Sequence, residues 1–181
     1  MIYLDAAATS FQKPAAVGFA VSEALRRLSS PGRGGYACAM EAAEMLLDCR
    51  TELASMFSVS EPERVIFTSS ATHGLNIALK TLAGPGDRVV VSGYEHNAVI
   101  RPLRALGAEI VVASSPLFSP EETVEAYRRA LPGAKAAVCC HVSNVFGFIQ
   151  PLGQIAALCR EFEVPLAADI SQSAGTEEID F

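Results

Sequence analysis

The chain opens with apolar residues at helical spacing and changes to short apolar runs after residue 60. Val17, Val21 and Leu25 recur every four residues, which predicts a helix over 13–28. The same kind of spacing predicts a second helix over 39–57. The segment SPGRGG at 30–35 separates the two, because glycine and proline break regular structure. We therefore expect residues 1–60 to form an N-terminal helical segment.

From residue 62 onward, apolar runs alternate with amphipathic helical patterns. The runs have no polar alternation, which is typical of strands that are covered on both faces. Strands that alternate with helices predict a mostly parallel sheet with right-handed crossovers and helices on both faces, a doubly wound α/β fold. The predicted strands are 64–68, 88–92, 109–113, 136–141 and 164–169, and the predicted helices are 74–82, 99–106, 120–130 and 152–162.

Composition and charge narrow the class of partner. Half of the 181 residues are hydrophobic and 19% are charged, which is typical of a globular chain, and the length fits one domain better than two. A net charge of −6 and the lack of a Lys/Arg cluster argue against nucleic acid or an anionic membrane as the main partner. The sequence has no signal-peptide pattern and no spanning apolar stretch, so we expect a cytoplasmic protein.

The five cysteines form no recognisable disulfide or zinc pattern. Their number is odd and no two stand in a CxxC pair, so no metal site is expected. We expect them to be small buried residues in a reducing compartment, and we place no catalytic thiol among them. They are Cys38, Cys49, Cys139, Cys140 and Cys159.

Small and polar side chains follow four of the five predicted strands. Ligands of parallel α/β sheets bind outside the carboxyl ends of the strands, so these side chains should converge on one crevice. The four segments are SSATHGLN at 69–76, GYEHNAV at 93–99, VSNVFG at 142–147 and DISQSAG at 169–175.

Each segment has a defined chemical use. Residues 69–72 open a predicted helix, where free N–H groups and the helix dipole favour a phosphate, although an ordinary N-cap fits this segment alone equally well. His96 could lie flat against an aromatic ring, and its alternative is a surface or satisfied core histidine. Asn144 could contact a ring hydroxyl, or form an Asx-turn. Asp169 would pair with a protonated ring nitrogen or with an arginine, and Gln172 could donate to a ring oxygen. Together they outline pyridoxal phosphate.

Six segments resemble, in order and at natural spacing, successive blocks of the class V aminotransferase family, most of all its cysteine desulfurase-like branch. They are YLDAAATS at 3–10, SPGRGGYA at 30–37, VIFTSSATHGLNIAL at 65–79, EHNAVIRPL at 95–103, HVSNVFGFIQPL at 141–152 and AADISQSAGTEEIDF at 167–181. The resemblance implies a fold type I pyridoxal-phosphate enzyme, usually a homodimer. Residues 61–181 would then be part of its large domain, and we expect the small C-terminal domain to be absent from this chain.

The resemblance implies a phosphate site at the start of the predicted third helix. Thr72 and the amides around Ala71 and His73 would hold the phosphate. The family often has glycine where Ser70 or Ala71 stands, and its opening block has asparagine where this chain has Ala6. The second departure leaves a substrate contact at residue 6 in doubt.

The resemblance also implies four contacts to the cofactor ring. His96 would stack on the pyridine ring, Asn144 and Gln172 would contact its hydroxyl side, and Asp169 would pair with its nitrogen. The family pattern of Asp and Gln three residues apart is kept here as DISQ at 169–172.

The reaction that the resemblance implies takes sulfur from L-cysteine and leaves alanine. Of the three lysines, Lys13, Lys80 and Lys135, none is placed as the family's Schiff-base lysine, so we expect this chain to be inactive alone. Arg33 is a candidate contact for a substrate carboxylate, or a plain surface arginine. The alternatives are another class V activity, namely selenocysteine lyase or aminotransferase, or a non-catalytic truncated chain.

Overall fold

The computed structural model describes residues 2–179 of the 181-residue chain. These residues divide into two compact units, one formed by 2–67 with 178–179 and the other by 68–177. None of the helices in the described part is both long and apolar enough to cross a membrane. The four polar segments found in the sequence all lie in the second unit, so that unit positions the candidate site.

Two helices make up most of the first unit. Helix α1 spans Ala15–Arg27, and α2 spans Ala37–Met56. Both confirm the predicted helices, with ends that differ by one or two residues. Pro14 directly precedes α1, where its missing N–H leaves no donor unpaired.

The strand predicted over 64–68 is wrong. Pro62–Arg64 form a short 3-10 turn, and the Val65 N–H donates to the Pro62 carbonyl at 3.0 Å. Residues 65–68 pair with no strand of the described chain, and Ile66 is 69% exposed. The run VIF has the side chains of a buried strand, but a strand also needs a neighbour whose backbone groups complete its ladder. Among residues 2–179 that neighbour is missing.

Strands and helices alternate through the second unit. The prediction is correct at both ends for β1, β2 and α5, whereas α3 begins three residues earlier and β4 two residues later than predicted. The strands are β1 Arg88–Ser92, β2 Glu109–Ala113, β3 Ala136–Cys140 and β4 Leu166–Asp169. The helices are α3 Ala71–Leu82, α4 Asn97–Leu106, α5 Pro120–Ala130 and α6 Leu152–Glu161.

The four strands form one parallel sheet in the order β2-β1-β3-β4. The chain goes from β1 to β2 on one side, then crosses back to place β3 on the other side of β1. The direction of winding therefore reverses between β1 and β3. In open α/β sheets, the crevice outside the carboxyl ends at such a switch point is where ligands bind.

Each face of the sheet buries its own core. Successive side chains of a strand point to opposite faces, so Val89 packs with α3 and α4 while Val90 packs with α5 and α6. This arrangement explains why the strands are apolar at successive positions between their ends. It also confirms the predicted α/β fold with helices on both faces.

The cysteines only partly follow their prediction. Cys139, Cys140 and Cys159 are buried, Cys38 is half-buried, and all five thiols are free. Cys49 is exposed, so its predicted burial is wrong. It lies on a face of α2 that no described residue covers, and helical spacing alone does not tell which face that is.

Candidate functional site

Helix α3 begins with two open backbone N–H groups. Ser70 caps the helix, since its Oγ accepts from the His73 N–H at 3.2 Å and its carbonyl accepts from the Gly74 N–H at 3.0 Å. The N–H groups of Ala71 and Thr72 donate to no described residue, and neither does the exposed Thr72 hydroxyl. Open donors at the positive end of a helix dipole favour an anion.

His73 contributes its ring rather than its amide to the surface here. Its N–H is engaged by the Ser70 cap, and its Nδ1 lies 3.1 Å from Ser69 Oγ. Of the amides around Ala71 and His73, the structure therefore leaves those of Ala71 and Thr72 open to a ligand.

His96 is the N-cap of α4. Its Nδ1 accepts from the Ala98 N–H at 3.1 Å, and its carbonyl accepts from the Val99 N–H at 2.9 Å. Because Nδ1 is an acceptor, the proton of the neutral ring is on Nε2. The ring is exposed yet oriented by the cap, which is the arrangement that stacking on a flat ligand requires.

Asp169 ends β4 with one carboxylate oxygen open. Its Oδ1 accepts from the Ser171 N–H at 3.0 Å and from Ser171 Oγ at 2.5 Å. Oδ2 accepts from no described residue. Across residues 2–179, no arginine or lysine forms an ion pair with Asp169. The arginine that the sequence analysis considered as a partner of Asp169 is therefore not observed.

Asn144 and Gln172 lie in the turns that follow β3 and β4. The turn after β3 is closed by Ser143, whose Oγ accepts from the N–H groups of Val145 at 3.4 Å and Phe146 at 3.3 Å. The Asx-turn considered for Asn144 is therefore not formed. The exposed Asn144 amide bonds to no residue of the described chain, and Gln172 is half-buried.

Two shallow clefts flank helix α3. One, of about 420 Å³, is lined by Ala71 and Asp169 together with Gly74, Leu75 and Ala78 of α3. The other, of about 450 Å³, lies between α3 and α4 and is lined by Thr72 and His96. The structure thus brings Ala71 together with Asp169, and Thr72 together with His96, in two clefts that begin at consecutive residues of α3. Asn144 and Gln172 line neither cleft.

A buried polar cluster at the switch point is absent from the sequence-based prediction. Glu95 Oε1 accepts from Ser92 Oγ at 2.6 Å and from the Cys140 N–H at 2.8 Å. Gln150 Nε2 donates to the Cys140 carbonyl at 2.5 Å and to Ser92 Oγ at 3.2 Å. The cluster joins the ends of β1 and β3. Its one signal in the sequence is a carboxylate three residues after an apolar strand and directly before His96.

The Glu95 carboxyl is protonated below about neutral pH. Its pKa is raised from 4.5 to about 7, mainly because burial disfavours the ionised form; the bonds from Ser92 and Cys140 oppose this rise and the nearby Asp169 carboxylate adds to it. Its Oε2 is buried without a hydrogen-bond partner among the described residues. The other titratable groups that face it are the Cys139 and Cys140 thiols and the Tyr127 phenol, which bring no positive charge.

The buried thiols are not nucleophiles at neutral pH. Burial raises the pKa of Cys140 to about 12 and of Cys159 to about 11, and it raises the pKa of Cys139 well above its ordinary value. A thiol reacts as its thiolate, so these groups stay inert.

The three lysines and Arg33 lie away from the first turn of α3 along the chain. Lys135 begins the approach to β3 at the end opposite Cys140, where its N–H donates to the Arg88 carbonyl at 2.8 Å. Lys80 lines the cleft between α3 and α4, but its Cα is eight residues from Thr72, or about 12 Å along the helix. Lys13 and the exposed Arg33 belong to the first unit, and the role of Arg33 stays a prediction.

The chain matches a known family over nearly its whole length. The family model described as "Aminotransferase class-V" covers residues 2–181. A probable cysteine desulfurase of Halalkalibacterium halodurans is 29% identical over 189 residues, and the match covers 99% of this chain and 46% of that protein. The cysteine desulfurase IscS of Shewanella sediminis is 30% identical over 195 residues, with the same shares covered. The chain spans about half the length of the curated relatives it matches.

Solved structures show the same fold. The apo structure of a cysteine desulfurase from Thermococcus onnurineus has a TM-score of 0.88 at 24% identity, and covers 99% of this chain and 46% of that one. The cysteine desulfurase CsdA of Escherichia coli has a TM-score of 0.78 at 23% identity, covering 98% and 46%. The alternation of strands and helices in the second unit therefore has experimental counterparts.

Replacing Glu95 by glutamine should change how stability depends on pH. The pKa of Glu95 in the folded chain is above its unfolded value, so the stabilisation is complete below pH 4.5 and is lost as the pH rises to about 7. A shift from 4.5 to about 7 corresponds to about 3 kcal/mol. Glutamine cannot ionise. We therefore expect the free energy of unfolding of Glu95→Gln, minus that of the wild type, to rise by up to about 3 kcal/mol between about pH 4.5 and 8.

Urea unfolding at a series of pH values measures this difference. Glu52→Gln is the matched control, because Glu52 is exposed on α2 and lies in the first unit. A Glu95→Gln difference that varies with pH no more than the Glu52→Gln difference would contradict the raised pKa.

Proposed function

The chain belongs to the class V aminotransferase family, and we propose that it is the cofactor-binding part of a pyridoxal-phosphate enzyme of the cysteine desulfurase type. The observation that carries this proposal is the first cleft, which is lined by both Ala71, whose N–H is open, and Asp169, whose second carboxylate oxygen is open. One is suited to a phosphate and the other to a protonated ring nitrogen. Pyridoxal phosphate carries both groups.

The residues of the second unit fit this cofactor from its phosphate to its ring. The N–H groups of Ala71 and Thr72 and the Thr72 hydroxyl would hold the phosphate at the positive end of α3. His73, exposed one residue further on, would add its ring to the same anion. Ser70 presents its own oxygen to the His73 N–H, so it serves the helix and not the ligand.

The ring would lie between one exposed imidazole and one carboxylate. His96 would cover one face of the cofactor ring, since the hydrogen bond from the Ala98 N–H to its Nδ1 orients the imidazole. Asp169 would accept from the ring nitrogen through Oδ2, and Asn144 and Gln172 would reach the hydroxyl side from the two neighbouring turns. Electron withdrawal into a protonated pyridine ring is the chemistry that this cofactor supplies when bound, and Asp169 would keep that nitrogen protonated.

The proposed reaction converts L-cysteine and an acceptor thiol into alanine and a persulfide. The C–S bond of cysteine breaks, the sulfur forms a bond with the acceptor sulfur, and a proton takes its place on the β-carbon. Cys140 lies nearest the switch point, but a buried thiol with a pKa of about 12 cannot be the acceptor thiolate. The acceptor therefore has to come from another part of the enzyme or from a partner.

The remaining assignments are also proposals. Because the curated relatives are about twice as long, further residues would provide the lysine that binds the cofactor covalently. The working enzyme would be a homodimer, as the family resemblance implies. Arg33 would then meet a substrate carboxylate. The five free cysteines fit the reducing conditions of the cytoplasm.

Replacing Asp169 by asparagine should weaken pyridoxal-phosphate binding at least tenfold, or by about 1.4 kcal/mol. Asparagine keeps the size and the acceptor for Ser171 but removes the charge that would pair with the ring nitrogen. Equilibrium dialysis with absorbance detection of the cofactor gives the dissociation constants. Asp48→Asn, on the exposed surface of α2, should bind within twofold of the wild type. Equal affinity of Asp169→Asn and the wild type would remove Asp169 from the site.

The purified 181-residue chain should bind the cofactor without turning over L-cysteine. No lysine of the described residues lies at the first turn of α3, and the three buried thiols stay protonated. Alanine and sulfide, measured after incubation with L-cysteine and a reductant, should not exceed those formed by free pyridoxal phosphate. Release of both products above that level, in proportion to the amount of chain, would show that the chain is catalytic by itself.

A further inference from the structure

We propose that Glu95 is a positioning residue of the cofactor site: it fastens the His96 turn to the end of β3 and thereby to the strand that carries Asp169. The consequence for the cofactor rests on the function proposed above. The fastening itself does not, because it concerns hydrogen bonds within this chain.

The backbone ladder between β1 and β3 stops short of the site. Its last pair is Val91 with Val138, two residues before β3 ends at Cys140. At Cys140, side chains take over: the N–H donates to Glu95 Oε1 at 2.8 Å and the carbonyl accepts from Gln150 Nε2 at 2.5 Å. The Glu95 carboxyl therefore acts as the next rung between the two strand ends.

Glu95 is also bonded to its own turn. Ser92 Oγ donates to the same Oε1 at 2.6 Å, and the Tyr94 N–H donates to Ser92 Oγ at 3.2 Å. The turn from Ser92 to Glu95 is thus closed on itself and tied to β3. His96 follows directly, so the start of α4 cannot move without breaking these bonds.

The same rung connects to Asp169. Cys140 is paired with Asp169 in the β3–β4 register, and the His141 N–H donates to the Asp169 carbonyl at 2.9 Å. His96 and Asp169, the proposed contacts to the face and the nitrogen of one ring, are therefore held at a fixed spacing by two consecutive links through Cys140. A ring contact of this kind depends on placement within fractions of an ångström.

Charge explains why a neutral carboxyl suits this position. Glu95 is faced by the Asp169 carboxylate, the Cys139 and Cys140 thiols and the Tyr127 phenol. An ionised Glu95 would place a second negative charge near Asp169, whereas a neutral acid keeps both hydrogen bonds without it. Glutamine has the same shape and acceptor, so it should replace Glu95, and alanine should not.

The test without cofactor is amide hydrogen exchange, measured by NMR at about pH 6 on the 181-residue chain. In Glu95→Ala, we expect the Cys140 and Ala98 amides to exchange at least tenfold faster than in the wild type, because one loses its acceptor and the other loses a fixed His96. The Val138 amide should stay within twofold, and Glu95→Gln should restore both rates to within threefold. Glu109→Ala, on the exposed edge of β2, is the matched control and should change none of them.

Unchanged exchange at Ala98 in Glu95→Ala, or a glutamine variant as fast as alanine, would overturn the proposal. If Glu95→Ala does not fold, Glu95→Asp takes its place, because its side chain is one methylene too short to reach the Cys140 N–H and should give the same acceleration.

A double-mutant cycle then tests the link to His96. The losses in pyridoxal-phosphate affinity caused by Glu95→Ala and His96→Ala should not add, since Glu95 acts through His96. Additive losses would contradict the proposed link. A wild-type chain that binds no cofactor would reject the proposed function, and the exchange rates would still decide the role of Glu95.

Discussion

The site depends on how the ends of β1 and β3 are held where the backbone ladder stops. Parallel strands normally satisfy each other's N–H and carbonyl groups, but the ladder between these two strands ends at Val91 and Val138. Beyond that pair, Cys140 finds its partners in the side chains of Glu95 and Gln150. The backbone ladder between β1 and β3 therefore stops at the switch point of the sheet without leaving a buried backbone group of Cys140 unpaired.

This constraint shapes the chemistry around it. A backbone rung would keep the strand ends closed, whereas a side-chain rung lets the chain turn outward at His96 and at the loop after β3. A charged rung would be costly next to Asp169, and burial makes the neutral form of Glu95 the stable one up to about pH 7. Asp169 is then the carboxylate that stays open for a cation, with Oδ1 held by Ser171. The two acids have similar side chains and opposite tasks because their surroundings differ.

Much of the second unit follows from local pattern. The ends of β1, β2 and α5 are predicted correctly. Strands with a core on both faces of the sheet are apolar along their length, whereas a helix with a core on one side is amphipathic, so each pattern shows how far its element extends. The prediction of a strand at 64–68 is wrong because apolar side chains do not indicate whether a partner strand is present. The Glu95 cluster could not be predicted because its hydrogen bonds join residues 45 and 58 positions apart, Glu95 with Cys140 and Ser92 with Gln150, which only the register of β1 and β3 brings together. Residue type and position after a strand identify Asp169 and His96. The sequence also indicates an N-cap within residues 69–72, but not that Ser70 provides it, which decides the amides of α3 that stay open.

In the proposed function, pyridoxal phosphate lies at the first turn of α3 with its ring toward Asp169. This position can be tested by mapping the backbone amide shifts of the 181-residue chain during titration with pyridoxal phosphate and, separately, with pyridoxal. We expect pyridoxal phosphate to move the amides of Ala71, Thr72 and Ser171 along one saturation curve. Pyridoxal, which has no phosphate, should move Ser171 and leave Ala71 and Thr72 unchanged. Shifts confined to other parts of the chain, or binding that borohydride reduction and intact mass trace wholly to Lys13, Lys80 or Lys135, would contradict it.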